Sequence, residues 1–209
     1  MDGVLSDTTD LHYQTWHAAF ADFGIDLQRE QFLPFFGRSP TITLDGLLGP
    51  EIDAGLRQKI RNRKISLFNE AASSMLLPTP GVLNWLEFFS YHCVQAVASS
   101  APLENITLIL DKLNIRKYFQ SIVSGTEMCS KPDPFVFLRA AKELSASPKT
   151  CLIIEDSPSG IEAAKRARIP VIAICTSNHA AQLNQADIVL PDLSELSVEI
   201  FQKFCQNHY

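Results

Sequence analysis

Apolar and polar positions follow two rhythms along this chain, and the rhythm changes at PTPG, residues 78–81. Ahead of that point, over residues 11–77, apolar residues recur at helical spacing. Leu11, Thr15, Ala18, Ala19 and Phe23 make one face of a first helix, and a second, rich in Arg and Lys, is predicted over residues 52–72. Strand signals are scarce there. Two prolines and a glycine cannot continue a helix, so the chain breaks at 78–81. Beyond it, short β-rich runs alternate with helical ones. VQAVA (94–98) precedes a helix near 102–113, SIVS (121–124) one near 133–145, and CLIIE (151–155) one near 158–167; VIAI (171–174) and IVL (188–190) follow. Apolar strands alternating with helices of roughly 10–15 residues predict an α/β fold, a parallel sheet with helices on both faces. The helical stretch reads as a cap inserted after the first loop. Residues 1–10 and 78–209 are then the α/β core, and residues 11–77 the cap.

Composition narrows the classes. A chain of 209 residues buries a substantial core, and a net charge of −5 gives no electrostatic reason to expect nucleic acid or an anionic membrane as partner. No apolar run approaches the ~20 residues of a spanning helix, and no basic stretch leads into an apolar one as in a secretory signal. The five cysteines are odd in number and lack C-x-x-C, and three lie in or beside apolar runs. They read as reduced, mostly buried thiols of a cytoplasmic protein. The chain is read as a monomer or an oligomer of unspecified size.

In open parallel sheets, ligands bind beyond the carboxyl ends of the strands. Four such places carry polar residues: Asp2 and Asp7 in the opening MDGVLSDT, Ser99-Ser100, Lys131 in SKPDPF, and Glu155-Asp156 in EDSPSGIEAAKRA. Singly, each has an ordinary structural role. Ser99 would cap a helix, Lys131 would be a solvated loop residue, and Ser157-Pro158 would be N-cap and first helical residue. Ser159 with Glu162 offers an alternative capping box one turn later. The acidic pair would favour that helix start through its dipole. Together they form a chemical set. Paired carboxylates suit Mg²⁺. A lysine, a hydroxyl and backbone N–H groups suit phosphate, and a carboxylate in a glycine-turned loop suits proton transfer.

In these motifs the chain resembles the haloacid dehalogenase superfamily, in its phosphatase and beta-phosphoglucomutase-like branch, which implies a Rossmann-like core with a helical cap. The first motif there reads Asp-x-Asp-Gly-Val/Thr-Leu-x-Asp-Thr, often with a His four residues on, and MDGVLSDTTDLH matches from the x position onward. Ser99 matches the second motif, Lys131 with Pro132, Pro134 and Phe135 the third, and Glu155-Asp156 the fourth. The resemblance implies that a nucleophilic Asp forms an aspartyl-phosphate. The Asp two residues later, matched by Asp2, protonates the leaving oxygen and then activates water. Asp2 through its carbonyl, with Glu155 and Asp156, would hold Mg²⁺. Lys131 would steady the nucleophile and the transferring phosphoryl group, and Ser99 would donate to a phosphoryl oxygen. Gly3, Thr8, His12, Arg38 and Ser100 complete the candidate substrate-binding set, with a small phosphorylated metabolite as partner. Two positions where the family often has glycine carry Arg168 and Ser130 in this chain. A left-handed Arg168 would cost on the order of 1 kcal/mol.

Mutase-like members place an arginine just after a Gly-x-Ser turn of the cap, whereas FFGRSPT has Arg38 inside that turn. The expectation is therefore a Mg²⁺-dependent phosphatase of small phosphorylated metabolites, sugar phosphates above all. A phosphomutase and a non-catalytic phosphate-binding protein are the alternatives. Because the match begins at the x position, the nucleophile is expected ahead of Met1. The first central strand is expected to be missing, and residues 1–209 alone to be inactive or severely impaired.

Overall fold

The computed structural model describes residues 1–49, 51–126 and 129–208. Four helices come first: α1 (Thr9–Ala21), α2 (Arg29–Phe32), α3 (Pro40–Leu48) and α4 (Ala54–Met75). An alternating part follows. It runs α5 (Val82–Ser90), β1 (Ala96–Ser99), α6 (Leu103–Lys112), β2 (Ser121–Ser124), α7 (Phe135–Glu143), β3 (Ile153–Glu155), α8 (Pro158–Ala167), β4 (Val171–Ile174), β5 (Ile188–Leu190) and α9 (Val198–His208).

All strand pairings are parallel. β1 pairs with β2, and β3, β4 and β5 pair in that order as a second sheet. The two-residue period of a strand explains the layers. In β4, Ile172 and Ile174 face a cluster that holds Trp85 of α5, Ile106 of α6 and Phe204 of α9. Val171 and Ala173 face the opposite cluster, with Phe137 of α7 and Ile161 of α8. Helices therefore cover both faces, as the unbroken apolar run VIAI requires. Among the described strands β1 and β3 do not pair with each other. Between them lies a cavity of about 350 Å³, lined by Met1, Trp85, Phe89, Val97 and Ile154 among others.

The helical segment has a core of its own, built from Trp16, Phe20, Phe32, Leu44 and Ile60. A second cluster of Leu11, Phe68 and Ala72 packs on Ile109 of α6 and joins the segment to the sheets. The buried face of α1 is Leu11, Thr15, Trp16, Ala19 and Phe20, not the face through Ala18 and Phe23. Helix α1 ends at Ala21, and Gly24 at φ 74° turns the chain, so Phe23 lies beyond the helix.

Two helices go beyond what the sequence pattern predicts. In α5, Val82, Trp85, Leu86 and Phe89 bury one stripe at helical spacing. Gly81, left-handed at φ 78°, starts this helix rather than merely ending the one before it. Helix α9 packs Phe201, Phe204 and Cys205 on the core. The start of α8 is as expected: Ser157 Oγ accepts from Gly160 N at 3.1 Å, with Pro158 in the first turn. Glu162 pairs with Arg166 rather than closing a capping box with Ser159. Arg168 ends the helix left-handed, at φ 56° and ψ 41°. None of the cysteines forms a disulfide among the described residues, but Cys93 and Cys129 are exposed and the other three partly so, and only Cys205 lies within a helix rather than in a loop or at a strand end. Among the described residues, no helix is long and apolar enough to cross a membrane.

Candidate active site

The site begins with a tight turn. Val4 and Leu5 donate to the Met1 carbonyl and Gly3 donates to Ser6, which brings Asp2 back beside Ser6. Gly3 sits at φ 69°, and a Cβ there would overlap the Asp156 carboxylate and lie 2.6 Å from Ser177 Oγ. Glycine is needed on both counts. The turn thus packs directly against the end of β3.

Asp2 faces the helical segment. Thr8, at the start of α1, makes no capping bond of its own. Its hydroxyl donates to Asp2 Oδ1 at 2.6 Å. His12 Nε2, one turn into α1, is 3.2 Å from the same oxygen. His12 Nδ1 is 3.1 Å from Lys64 Nζ of α4. A Lys64 hydrogen pointing at Nδ1 leaves the imidazole proton on Nε2, so donors run Lys64 to His12 to Asp2. Burial works against the Asp2 charge, yet the His12 hydrogen bond and charge hold its pKa well below the usual carboxylate range. Burial, then the Lys64 charge, pushes His12 down. Burial likewise drops Lys64 to about 7. An ionised acid, a neutral imidazole and a readily deprotonated amine therefore form one chain.

On the other side, Lys131 Nζ pairs with Glu155 Oε1 and lies 4.7 Å from the Phe137 ring centroid. Glu155 Oε2 accepts from the backbone N–H groups of Asp156 and Ser157, at 2.6 and 2.9 Å. Gly160 leaves room for that carboxylate, since a Cβ there would overlap it. Burial opposes ionisation of Glu155, but the Lys131 charge brings its pKa down to about 2. Asp156 is raised well above the ordinary value by burial and by the neighbouring Glu155 charge. Two buried carboxylates side by side, with Lys131 paired to Glu155, leave a demand for more positive charge at Asp156.

Ser99 is buried and accepts from Ala101 N–H at 3.1 Å through its hydroxyl. It lines a cleft of about 50 Å³ together with Ser100, Asp2, His12, Trp16, Lys64 and Arg38. Arg38 bridges the cleft mouth, its NH1 donating to the Lys131 carbonyl at 2.7 Å.

The expected residues are thus gathered, with adjustments. Asp2, Thr8, His12, Ser99, Ser100 and Arg38 surround the cleft or its floor, while Gly3, Asp156, Glu155 and Lys131 sit on the sheet side. Among the described residues no three His, Cys, Asp or Glu side chains form a metal cluster. The Asp2 carboxylate is turned to Thr8 and His12, which leaves its carbonyl for the expected metal role, and both Glu155 oxygens are engaged. Arg38 is engaged by backbone of the core rather than standing free in the cleft. Lys64 was not anticipated, although Ile60, Lys64, Phe68 and Ala72 repeat every four residues as one buried stripe. Ser177 was also missed, although it follows β4 at a strand end.

Residues 1–174 match the sequence profile of the haloacid dehalogenase-like hydrolases. A phosphorylated carbohydrates phosphatase from Thermotoga maritima is 29% identical over 81% of this chain and 79% of that protein. A beta-phosphoglucomutase from Bacillus subtilis is 29% identical over 97% of this chain and 92% of its own length. The solved structure of a beta-phosphoglucomutase from Clostridium difficile matches with TM-score 0.87 at 24% identity, over 99% of this chain and 94% of the other, a likeness of fold. The profile match spans most of the chain, from the Asp2 turn to the end of β4, and this protein belongs to the haloacid dehalogenase-like hydrolase family.

Proposed function

We propose that this site serves a Mg²⁺-dependent phosphatase of small phosphorylated metabolites, sugar phosphates above all, acting through an aspartyl-phosphate. The supporting observation is the convergence on one small cleft of an ionised, half-buried Asp2 with Ser99, backed by the Lys131–Glu155 pair and Asp156. Those are an acid/base, a hydroxyl that can donate to a phosphoryl oxygen, a fixed cation and a carboxylate in need of a counter-ion.

The residues fit Mg²⁺. Asp156 is buried against the Glu155 charge, and the Ser177 hydroxyl beside it does little to offset that charge. Asp156, the Asp2 carbonyl and bound waters would hold the ion, with Glu155 orienting Lys131 rather than ligating. When bound, the ion offsets phosphate charge. Asp2, held ionised by Thr8 and His12, is prepared to accept a proton from the water that hydrolyses the phosphoryl intermediate. Protonated, it would give that proton to the leaving oxygen. Lys131 supplies a preset positive charge to the transferring group.

The nucleophilic carboxylate is the part these residues do not supply. Asp2 is engaged by Thr8 and His12, Glu155 by Lys131, and Asp156 belongs to the cation. Lys64 favours phosphomutase as the second reading. It is a further buried cation on the cleft wall, suited to a second phosphate.

The test compares the 209-residue chain with a version preceded by a short apolar strand ending in Asp. Phosphate release is measured over sugar monophosphates with Mg²⁺. The extended version should hydrolyse at least one, and Asp2→Asn should abolish it. Release absent from both overturns the phosphatase reading. Conversion to an isomeric phosphate without release selects the mutase. Equal activity of the two chains overturns the assignment of the nucleophile alone.

A further inference from the structure

Thr43, Lys64, Ser99 and Asn105 are buried polar residues that line the cleft. The fold uses three of them. Thr43 donates to the Ser39 carbonyl, Lys64 meets His12, and Ser99 accepts from Ala101 N–H. Asn105, in the first turn of α6, is 3% exposed, and among the described residues its carboxamide makes no hydrogen bond. Burying an amide without a partner costs stability, so a position selected by the fold alone would carry an apolar side chain.

The packing next to Asn105 points the same way. Ile109, one turn further along α6, is buried with Leu11 of α1 and with Phe68 and Ala72 of α4. Residues four apart share a helix face. Asn105 therefore continues the stripe of Ile109, as Lys64 continues the stripe of Phe68 and Ala72. The seam between α4 and α6 is apolar at Ile109, Phe68 and Ala72 and turns polar at Asn105 and Lys64, where the cleft begins. An apolar residue in place of Asn105 would have extended that seam by one turn.

We infer that Asn105 is a specificity-determining residue of this cleft, its carboxamide hydrogen-bonding a hydroxyl on the carbon skeleton of the substrate. The inference rests on the phosphatase reading and gives its preference for sugar phosphates a residue. A carboxamide both donates and accepts. A phosphate dianion only accepts and would leave the amide oxygen unpaired, whereas a hydroxyl, which also does both, can satisfy either end. A site built around such a bond discriminates against substrates that lack the hydroxyl, because the buried amide then stays without a partner.

The experiment reads binding rather than turnover. Calorimetry in Mg²⁺ measures the affinity of the parent chain, Asn105→Leu and Asn105→Ala for a panel of sugar monophosphates, for propyl phosphate and for inorganic phosphate. Thermal unfolding of the three chains is followed without ligand. The parent should bind at least one sugar monophosphate more tightly than propyl phosphate. Asn105→Leu should bind that sugar about tenfold more weakly or worse, keep the other two affinities within about twofold, and unfold at an unchanged or higher Tm. A sugar affinity that stays within about twofold of the parent overturns the inference and leaves the phosphatase reading standing. Equal losses for all three ligands put Asn105 on the phosphoryl group and also overturn it. So does a Tm lowered in both variants, which makes Asn105 a structural residue, and so does a parent that binds propyl phosphate as tightly as every sugar. A parent that binds none of the ligands overturns the phosphate reading of the cleft, and this inference with it.

Discussion

Lys64→Met isolates what one buried cation does to this protein. Lys64 is 4% exposed, and burial takes its pKa from 10.5 to about 7, with the Asp2 charge opposing only in part. Below about pH 7 folded and unfolded chains both hold the Lys64 proton, and the folded chain bears the whole cost of enclosing the charge. Between about pH 7 and 10.5 the unfolded chain still binds that proton and the folded chain does not. Stability therefore rises with pH across that window. At ~1.4 kcal/mol per pH unit of difference, the rise due to Lys64 is on the order of 4–5 kcal/mol. Methionine keeps most of the volume and cannot titrate. It also gives up the contact with His12 Nδ1, which shifts the difference by a similar amount at every pH in the window. His12 and Asp2 are the titratable groups facing Lys64, and both lie below the window, since His12 is pushed down and Asp2 is ionised. Urea unfolding of parent and variant, followed by tryptophan fluorescence, is run near neutral pH and at two points up to about pH 9.5. The stability of Lys64→Met relative to the parent should be greatest near neutral pH and should fall by several kcal/mol toward the alkaline end. A difference that stays flat across the range refutes the argument that burial has displaced this lysine.

Two further changes follow from backbone geometry. Gly3→Ala puts a Cβ on a residue at φ 69° and into the Asp156 carboxylate. It should cost about 2 kcal/mol or more in urea unfolding and weaken Mg²⁺ binding; stability within about 0.5 kcal/mol of the parent would contradict the close approach. Arg168→Gly relieves an exposed left-handed residue at φ 56°. It should stabilise by about 1 kcal/mol, read as a raised Tm, and an unchanged or lowered Tm counts against the strain.

The alternating part was legible in the sequence because strand and helix signals there are local. SIVS, VIAI and IVL fall on β2, β4 and β5 to the residue, and Ser157-Pro158 begins α8. What was not legible depends on contacts distant in sequence. Helix α5 hides behind a proline and glycine break, because Gly81 reads equally as an end and as a beginning. Face assignment in α1 holds at Leu11, Thr15 and Ala19 but misses Trp16 and Phe20, which are recruited by Phe32 and Ile60 and which the α1 pattern alone does not reveal. Lys64 stands among the basic residues of α4 and looks solvated until its spacing from Ile60 and Phe68 is counted. Ser177 carries no motif. The general rule about strand ends reaches it only once β4 is granted an end of its own. Glu155 shows the converse, since its place at the end of β3 is local while the commitment of its oxygens to Lys131 and the α8 start depends on contacts the motif does not carry.

Two threads tie the helical segment to the strand ends, and both finish on groups of the site. His12 and Lys64 reach Asp2 from α1 and α4. Arg38, just ahead of α3, reaches the carbonyl of Lys131, whose ammonium holds Glu155. If the segment swings away, Lys64 meets water and its pKa returns toward 10.5, so opening takes up a proton and is favoured by acid. Asp2 loses His12 at the same time. On the proposed function, a phosphate dianion in the cleft would reverse this balance. At about 4 Å and an effective dielectric near 20, each unit of its charge attracts an ammonium by ~4 kcal/mol, comparable to the cost of enclosing the protonated lysine. The closed arrangement thus becomes compatible with a charged Lys64 when an anion accompanies it, and the same ligand that fills the cleft favours its closure.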